Sequence, residues 1–460
     1  MWRYLFFIFI GLSFGCGNTT EEQKHDLVIT NATVLNTPDG QVQSNITIVI
    51  DSGYITELVD ASMEVEADSV IDAQGKLVTP GFIDAVGHLD DVFGDRPDTL
   101  GQKLASVANC VNEFGATYVP YGVTTVRSSG DGTGYYVLAD YLHQFPSPDA
   151  PDFYFSGGSL AGWYDGSPYV NHLLVQDSSE AEYWVTSMHK TGSINYVKIY
   201  CNGAMNYSIF KAALKKAESY NLIVTSQVQN AITIDSALSL GLRNFEHAST
   251  LVYQRNLFHF TNDQSFTDTL KYYYQEQEKG SRIYPYMEAA LKTGPNNPEV
   301  LATIANMKAH NATMTTSLHF FAQWFGKCYF CSTPKAARFE TQDFTDVQKQ
   351  RCLDGYAILS GYVKQMYDAG IILAIGTDHK DGGKAVLSEI LLLNEAGIPM
   401  KDCFRIATIN TAQVIGLQDK YGSIATGKRA NLVLFDENPL DNPQAILKGK
   451  TVIKDGVVYP

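Results

Sequence analysis

Two textures divide this chain, and their order constrains the fold more than any other feature. Both ends are strand-rich, and a long middle alternates. Near the start, Leu27 to Ile29, Ile46 to Ile50 and Tyr54 to Thr56 are β-rich, separated by the turn formers Pro38-Asp39-Gly40 and Asp51-Ser52-Gly53. The texture returns in Ala430 to Phe435 and Thr451 to Tyr459, where Asp455-Gly456 between two apolar runs predicts a hairpin. Between the ends, apolar runs at 122–127, 196–200, 222–225 and 371–375 alternate with helix-like segments. One of these, Ser208 to Ser219, carries Ile209, Ala212, Ala213 and Ala217 at helical spacing. Repeated strand-then-helix order predicts a parallel sheet, and no repeat of solenoid period is present. Leu251 to Pro298, rich in Tyr, Gln, Asn and Lys, reads as an insertion over one face, with Tyr272 to Tyr274 as packing residues.

With 460 residues the chain exceeds the ~250–300 that one core sustains, so one large domain and a smaller one are expected. Hydrophobic residues at 45% and charged residues at 18% place it among globular proteins. A net charge of −15 repels phosphate backbones, so nucleic acid is not an expected partner.

At the N-terminus Arg3 precedes an apolar run from Leu5 to Phe14. The run is shorter than the ~20 residues that span a bilayer and reads as a secretory signal. Gly15-Cys16 at its end resembles a bacterial lipoprotein signal, in which the cysteine is lipidated, although Ser13 stands where that family prefers Leu. The resemblance implies a signal at 1–16, lipid on Cys16 and a tether at 17–25. The alternative is an ordinary cleaved signal with a periplasmic product. Either way the chain reads as exported, touching a membrane only through such an anchor. Cys328 and Cys331 have zinc-ligand spacing, but no second pair completes four ligands. In an exported chain a local disulfide, or a link from this pair to Cys352, is the expectation.

Thr79-Pro80-Gly81-Phe82-Ile83-Asp84 resembles the amidohydrolase superfamily, most closely its imidazolonepropionase-like branch. The run from Ala407 to Ala412 and that from Gly422 to Val433 carry the same resemblance. It implies an α/β fold: a distorted (β/α)8 TIM barrel over 80–421 and a small β-sandwich built from 26–79 and 422–460. It also implies one or two divalent metals at the C-terminal strand ends, where such barrels place their active residues. The family's ligands are a His-x-His at strand 1, a Lys or Glu mid-barrel, single His residues at strands 5 and 6, and an Asp at strand 8.

This chain departs from that set. Val86 and His88 occupy the strand-1 pair, Lys198 the mid-barrel position, Gln227 the strand-5 position, His247 the strand-6 position and Asp378 the strand-8 position. Valine cannot ligate, and Gln is a weaker ligand than imidazole for zinc. Three readings follow. One zinc-like ion binds through His88, His247 and Asp378, with or without Lys198. Alternatively the site has moved towards Asp90, Asp91, His319 and His379. Or the site is metal-free and the protein is a binder or an altered enzyme. The resemblance implies hydrolysis of a C–N bond in a small molecule, such as a cyclic amide, an N-acyl amino acid or a dipeptide. Asp378 is then the base, His247 holds metal or carbonyl oxygen, and Gln227 and His319 are candidates to touch substrate. A homo-oligomer is compatible with all of this.

Overall fold

The computed structural model describes residues 24–94, 107–162, 172–202, 205–229, 232–253, 283–330 and 345–459. The signal and Cys16, the tyrosine run 272–274 and Cys331 lie outside the described residues.

The N-terminal texture folds as β1 (His25–Asn36), β2 (Gln41–Asp51), β3 (Tyr54–Asp60), β4 (Ala67–Asp72) and β5 (Leu77–Pro80). The chain then enters β6 (Phe82–Gly87), β7 (Val123–Ser128), β8 (Asp152–Tyr154), β9 (Ser159–Ala161) and β10 (His172–Leu174). It continues through β11 (Tyr196–Tyr200), β12 (Ile223–Gln227), β13 (Asn244–Phe245), β14 (Thr313–Thr315) and β15 (Ile372–Ala374). It ends in β16 (Leu432–Phe435), β17 (Lys450–Lys454) and β18 (Val457–Val458).

The two ends meet in one eight-stranded sheet, in which β5 pairs antiparallel with β16 through Val78 with Leu434 and Pro80 with Leu432. Ile29, Ile48, Ile50, Leu432 and Ile453 share a core under it. The β17–β18 turn uses Asp455 at φ 52° and Gly456 at φ 77°. Positive φ at both central positions is what a tight two-residue hairpin demands.

The middle strands run parallel. β6-β7-β8 form one ladder and β10-β9-β11-β12-β13-β14-β15 a second. The first and last strands close on each other, because Ala85 N–H donates to the Ile375 carbonyl (3.0 Å) and Asp378 N–H to the Val86 carbonyl (2.8 Å). Closure makes a TIM-barrel-like body whose strands are buried on both faces, as β6 and β7 are at every position. The helix Tyr207–Ser219 covers it, with Ile209, Phe210, Ala213, Leu214 and Ala217 inward. Phe82 stacks on Phe404 at 5.7 Å and Phe435 leans on Phe404 at a tilt, also at 5.7 Å, between the barrel and the composite sheet. The turn between β5 and β6 has no room for a side chain, since a Cβ on Gly81 would lie 2.2 Å from Thr124 Oγ1.

Two expectations change. The end of the presumed insertion is structural: helix Ile283–Thr293 buries Met287, Ala289 and Ala290 and packs on helix Asp346–Asp368. Cys352 is a free, buried thiol on the latter helix, whereas Cys328 is disulfide-bonded, so no 328–352 link forms. Among the described residues no helix is long and apolar enough to cross a membrane.

Candidate active site

Three side chains from three strand ends converge. His88 follows β6, His247 follows β13 and Asp378 follows β15. His88 Nε2 lies 3.2 Å from Asp378 Oδ1, and His247 Nε2 lies 3.7 Å from Asp378 Oδ2. His247 and Asp378 have φ of 64° and 51°, and Ser317 beside them 52°. Such left-handed backbone costs roughly 1–3 kcal/mol at a non-glycine residue and persists only where the surroundings impose it.

The surroundings do impose it. His88 Nδ1–H donates to the Gly130 carbonyl (2.5 Å), an atom that can only accept. His247 Nδ1 meets Ser317 Oγ at 2.9 Å, and that hydroxyl donates onward to the Gly376 carbonyl (2.5 Å). Ser317 therefore accepts from His247 Nδ1–H. Both rings thus turn Nε2 towards Asp378. Asp84, an acid inside the apolar strand β6, accepts from Thr377 N–H (3.0 Å), Thr377 Oγ1 (2.5 Å) and Val86 N–H (3.1 Å), holding the β15 end against β6. Asp131 accepts from Ser128 Oγ and from Leu89 N–H (3.0 Å), fixing the turn that carries His88.

Lys198 goes elsewhere. Its Nζ pairs with Glu246, which also takes Arg127 (3.0 Å), Ser129 Oγ (2.8 Å) and Thr225 Oγ1 (2.9 Å). A carboxylated Lys198 would set a second anion against Glu246 and remove one of the two cations that pair with it. Gln227 is half-buried at the end of β12. Val86 packs where a Cβ on Gly376 would sit, 2.5 Å from its Cγ2, so it fills the space between β6 and β15. His319 is 0% exposed, and its ring lies 4.8 Å from that of His379, edge to face. Neither ring is among the partners of Asp378.

Sequence reasoning did not single out Glu246, Asp84 or Asp131. The available signal was an acid within an apolar strand or beside a strand-end His, because buried charge is costly unless paired.

The electrostatics are lopsided. Burial favours a neutral His88, but the hydrogen bond and charge of Asp378, with Asp91 and Asp131 behind it, push it up to about 10. Burial tends to raise Asp378, yet His88 and His247 hold it below the ordinary carboxylate range. Burial lowers His247. Burial and neighbouring acids lift Asp90 up to about 8 and Asp91 up to about 7. Asp91 Oδ2 is buried without a hydrogen-bond partner. An excess of buried carboxylate beside two inward Nε2 atoms fits one divalent cation.

A pH prediction follows. A carboxyl raised on folding stabilises below its unfolded value near 4 and loses that stability as pH rises through its folded value. Chelator-treated protein is expected to melt lower at pH 9 than at pH 5. Asp90→Asn should narrow that gap by at least ~2 °C, as differential scanning fluorimetry will show. An unchanged gap would mean Asp90 is ionised throughout.

The amidohydrolase family model matches residues 77–458. A 110-residue stretch is 31% identical to the imidazolonepropionase of Geobacillus kaustophilus, covering 21% of this chain and 26% of that protein. A 104-residue stretch is 34% identical to the adenine deaminase of Listeria welshimeri, covering 23% of this chain and 15% of that one. The chain thus spans about a quarter or less of these curated relatives' length. A Bifidobacterium longum protein assigned as a prolidase shares the fold, with a TM-score of 0.68 over 95% of this chain and 94% of that one, at 21% identity.

Proposed function

Because the chain belongs to the amidohydrolase family, whose members typically use a divalent metal, we propose that it hydrolyses a C–N bond in a small amide: a cyclic amide, an N-acyl amino acid or a dipeptide. The observation that carries this is the pair of inward Nε2 atoms on the two oxygens of Asp378, at 3.2 and 3.7 Å. His88, His247 and Asp378 would hold one cation, and zinc suits two imidazoles and a carboxylate. When bound, such an ion polarises a carbonyl and lowers the pKa of water.

The chain's own groups do the rest. Asp378 is ionised at neutral pH, accepts the proton of the attacking water and returns it to the leaving amine nitrogen. His247, fixed through Ser317, orients the carbonyl side. Glu246 holds Lys198 and Arg127 beneath the site. Gln227, half-buried at the end of β12, is assigned to contact substrate. His319, fully buried, is not placed to do so.

The imidazolonepropionase and prolidase likenesses support the amide class. The strand pairing of both ends supports a small β-domain of sandwich type. The disulfide at Cys328 supports an oxidising compartment, in keeping with export, with or without lipid on Cys16.

Val86→His is expected to raise metal affinity by restoring the strand-1 pair, and Gln227→His to raise it further. Calorimetric zinc titration of the single and double variants checks this. Affinity unchanged in both would remove His88 from the ligand set.

A further inference from the structure

A second cluster of donors lies just beyond the ends of β14 and β15. His319 follows β14 in the short helix Leu318–Ala322, and His379 and Asp381 follow β15. One ligand atom from each of the three residues falls within 4.8 Å of the others. Both ring nitrogens of His319 are buried without a hydrogen-bond partner, at 0% exposure of the residue. An unpartnered buried polar group is costly, and here it is aimed at a second imidazole rather than at a donor or acceptor.

The tautomer of His379 is fixed. Its Nε2 is 2.7 Å from Gln323 Oε1, so Nε2–H donates to that amide oxygen. Its Nδ1 accepts from Asp381 N–H at 3.1 Å and stands 3.6 Å from Asp381 Oδ2. The lone pair of Nδ1 is engaged by that N–H, so an ion at Nδ1 would take the place of this one backbone hydrogen bond, with Asp381 Oδ2 close by. A histidine whose other nitrogen is tied to an oxygen acceptor is the usual arrangement at a metal. The Asp381 side chain is 22% exposed, which gives an ion a way in from solvent. Glu389 accepts from Leu318 N–H (2.8 Å) and His319 N–H (2.6 Å), so the helix that carries His319 is fixed from behind.

We propose that His319, His379 Nδ1 and Asp381 form a second, structural site for a zinc-class divalent ion, which clips the segment after β14 to the segment after β15. Two imidazoles and one carboxylate suit Zn²⁺ and Co²⁺ and disfavour Mg²⁺ or Ca²⁺, which want oxygen. The clip adjoins Asp378 in sequence without using it. It buttresses the loop that presents that carboxylate.

Co²⁺ is the probe, read by its visible absorption and by equilibrium dialysis on the full chain. His88→Gln/Asp378→Asn removes the strand-end ligands, and this variant is expected still to bind one Co²⁺. Adding Asp381→Asn, a change at a partly exposed position, should weaken that binding ~10²-fold or more. Gln323→Leu should weaken it ~10–100-fold, as outer partners of a ligating His do. His319→Gln tests the buried ligand, and Asp381→Asn covers the case in which it does not fold. No Co²⁺ bound by His88→Gln/Asp378→Asn, or binding unmoved by Asp381→Asn, overturns the proposal. Loss of the strand-end site alone would leave both results intact and would count only against the hydrolase centre.

Discussion

Glu246→Ala is expected to cost about 3–5 kcal/mol of folding stability, the usual penalty for stripping one partner from a buried charge network. Arg127 is 1% exposed and Lys198 5%, and both rely on Glu246, itself fully buried. Among the described residues Arg127 Nε and NH1 have no hydrogen-bond partner, and its guanidinium lies 5.8 Å from the Tyr196 ring. Removing Glu246 leaves two buried cations facing each other. Burial opposes ionisation of Glu246, but Lys198 and Arg127 hold it well below the usual carboxylate range. A carboxyl lowered on folding stabilises above its unfolded value near 4.3, and that contribution fades as pH falls through the folded value. The loss in Glu246→Ala should therefore be full at pH 7 and shrink in strong acid. Removing all three charges together, as Glu246→Leu/Arg127→Met/Lys198→Met, should recover much of the stability. Urea unfolding of the variants at pH 7 measures this. A Glu246→Ala protein within 1 kcal/mol of wild type would show that water reaches the network.

Asp378→Asn is expected to keep the fold and lower turnover ~10²–10⁴-fold, the range for a general acid–base group. Its backbone N–H still reaches the Val86 carbonyl, and Asp84 still anchors Thr377, so the loop keeps its path. Asparagine also tolerates positive φ, which Asp378 adopts at 51°. The variant loses a proton acceptor and an anionic ligand without losing shape. Loss in kcat with little change in KM would place the defect in the chemical step. A folded Asp378→Asn protein with wild-type turnover would exclude the base assignment.

The elements that were legible in sequence share a cause: local pattern and tertiary need agree. Tyr196 to Tyr200 is an apolar run flanked by helix and became β11. Ile209, Ala213 and Ala217 all face the core of Tyr207–Ser219. Asp455-Gly456 met the two positive φ values its turn requires. The meeting of His88, His247 and Asp378 was inferable from the family's strand-end positions, and the three side chains do converge. What sequence could not supply were partnerships formed across long separations. Lys198 finds Glu246 only because β11, β12 and β13 are neighbours in one ladder. Asp84 finds Thr377 only because the barrel closes. Helix Ile283–Thr293 was grouped with the polar residues before it, and its burial depends on a partner helix about sixty residues later.

The most direct measurement is C–N hydrolysis by the purified chain loaded with zinc, read by mass spectrometry as released fragments or as addition of one water to a ring. The substrates are three families of small amide: Xaa-Pro dipeptides, N-acyl amino acids and cyclic amides. The account predicts turnover of at least one family, abolished by a chelator and restored by added zinc. It is contradicted if protein carrying zinc at His88, His247 and Asp378 adds water across the C–N bond of none of the three.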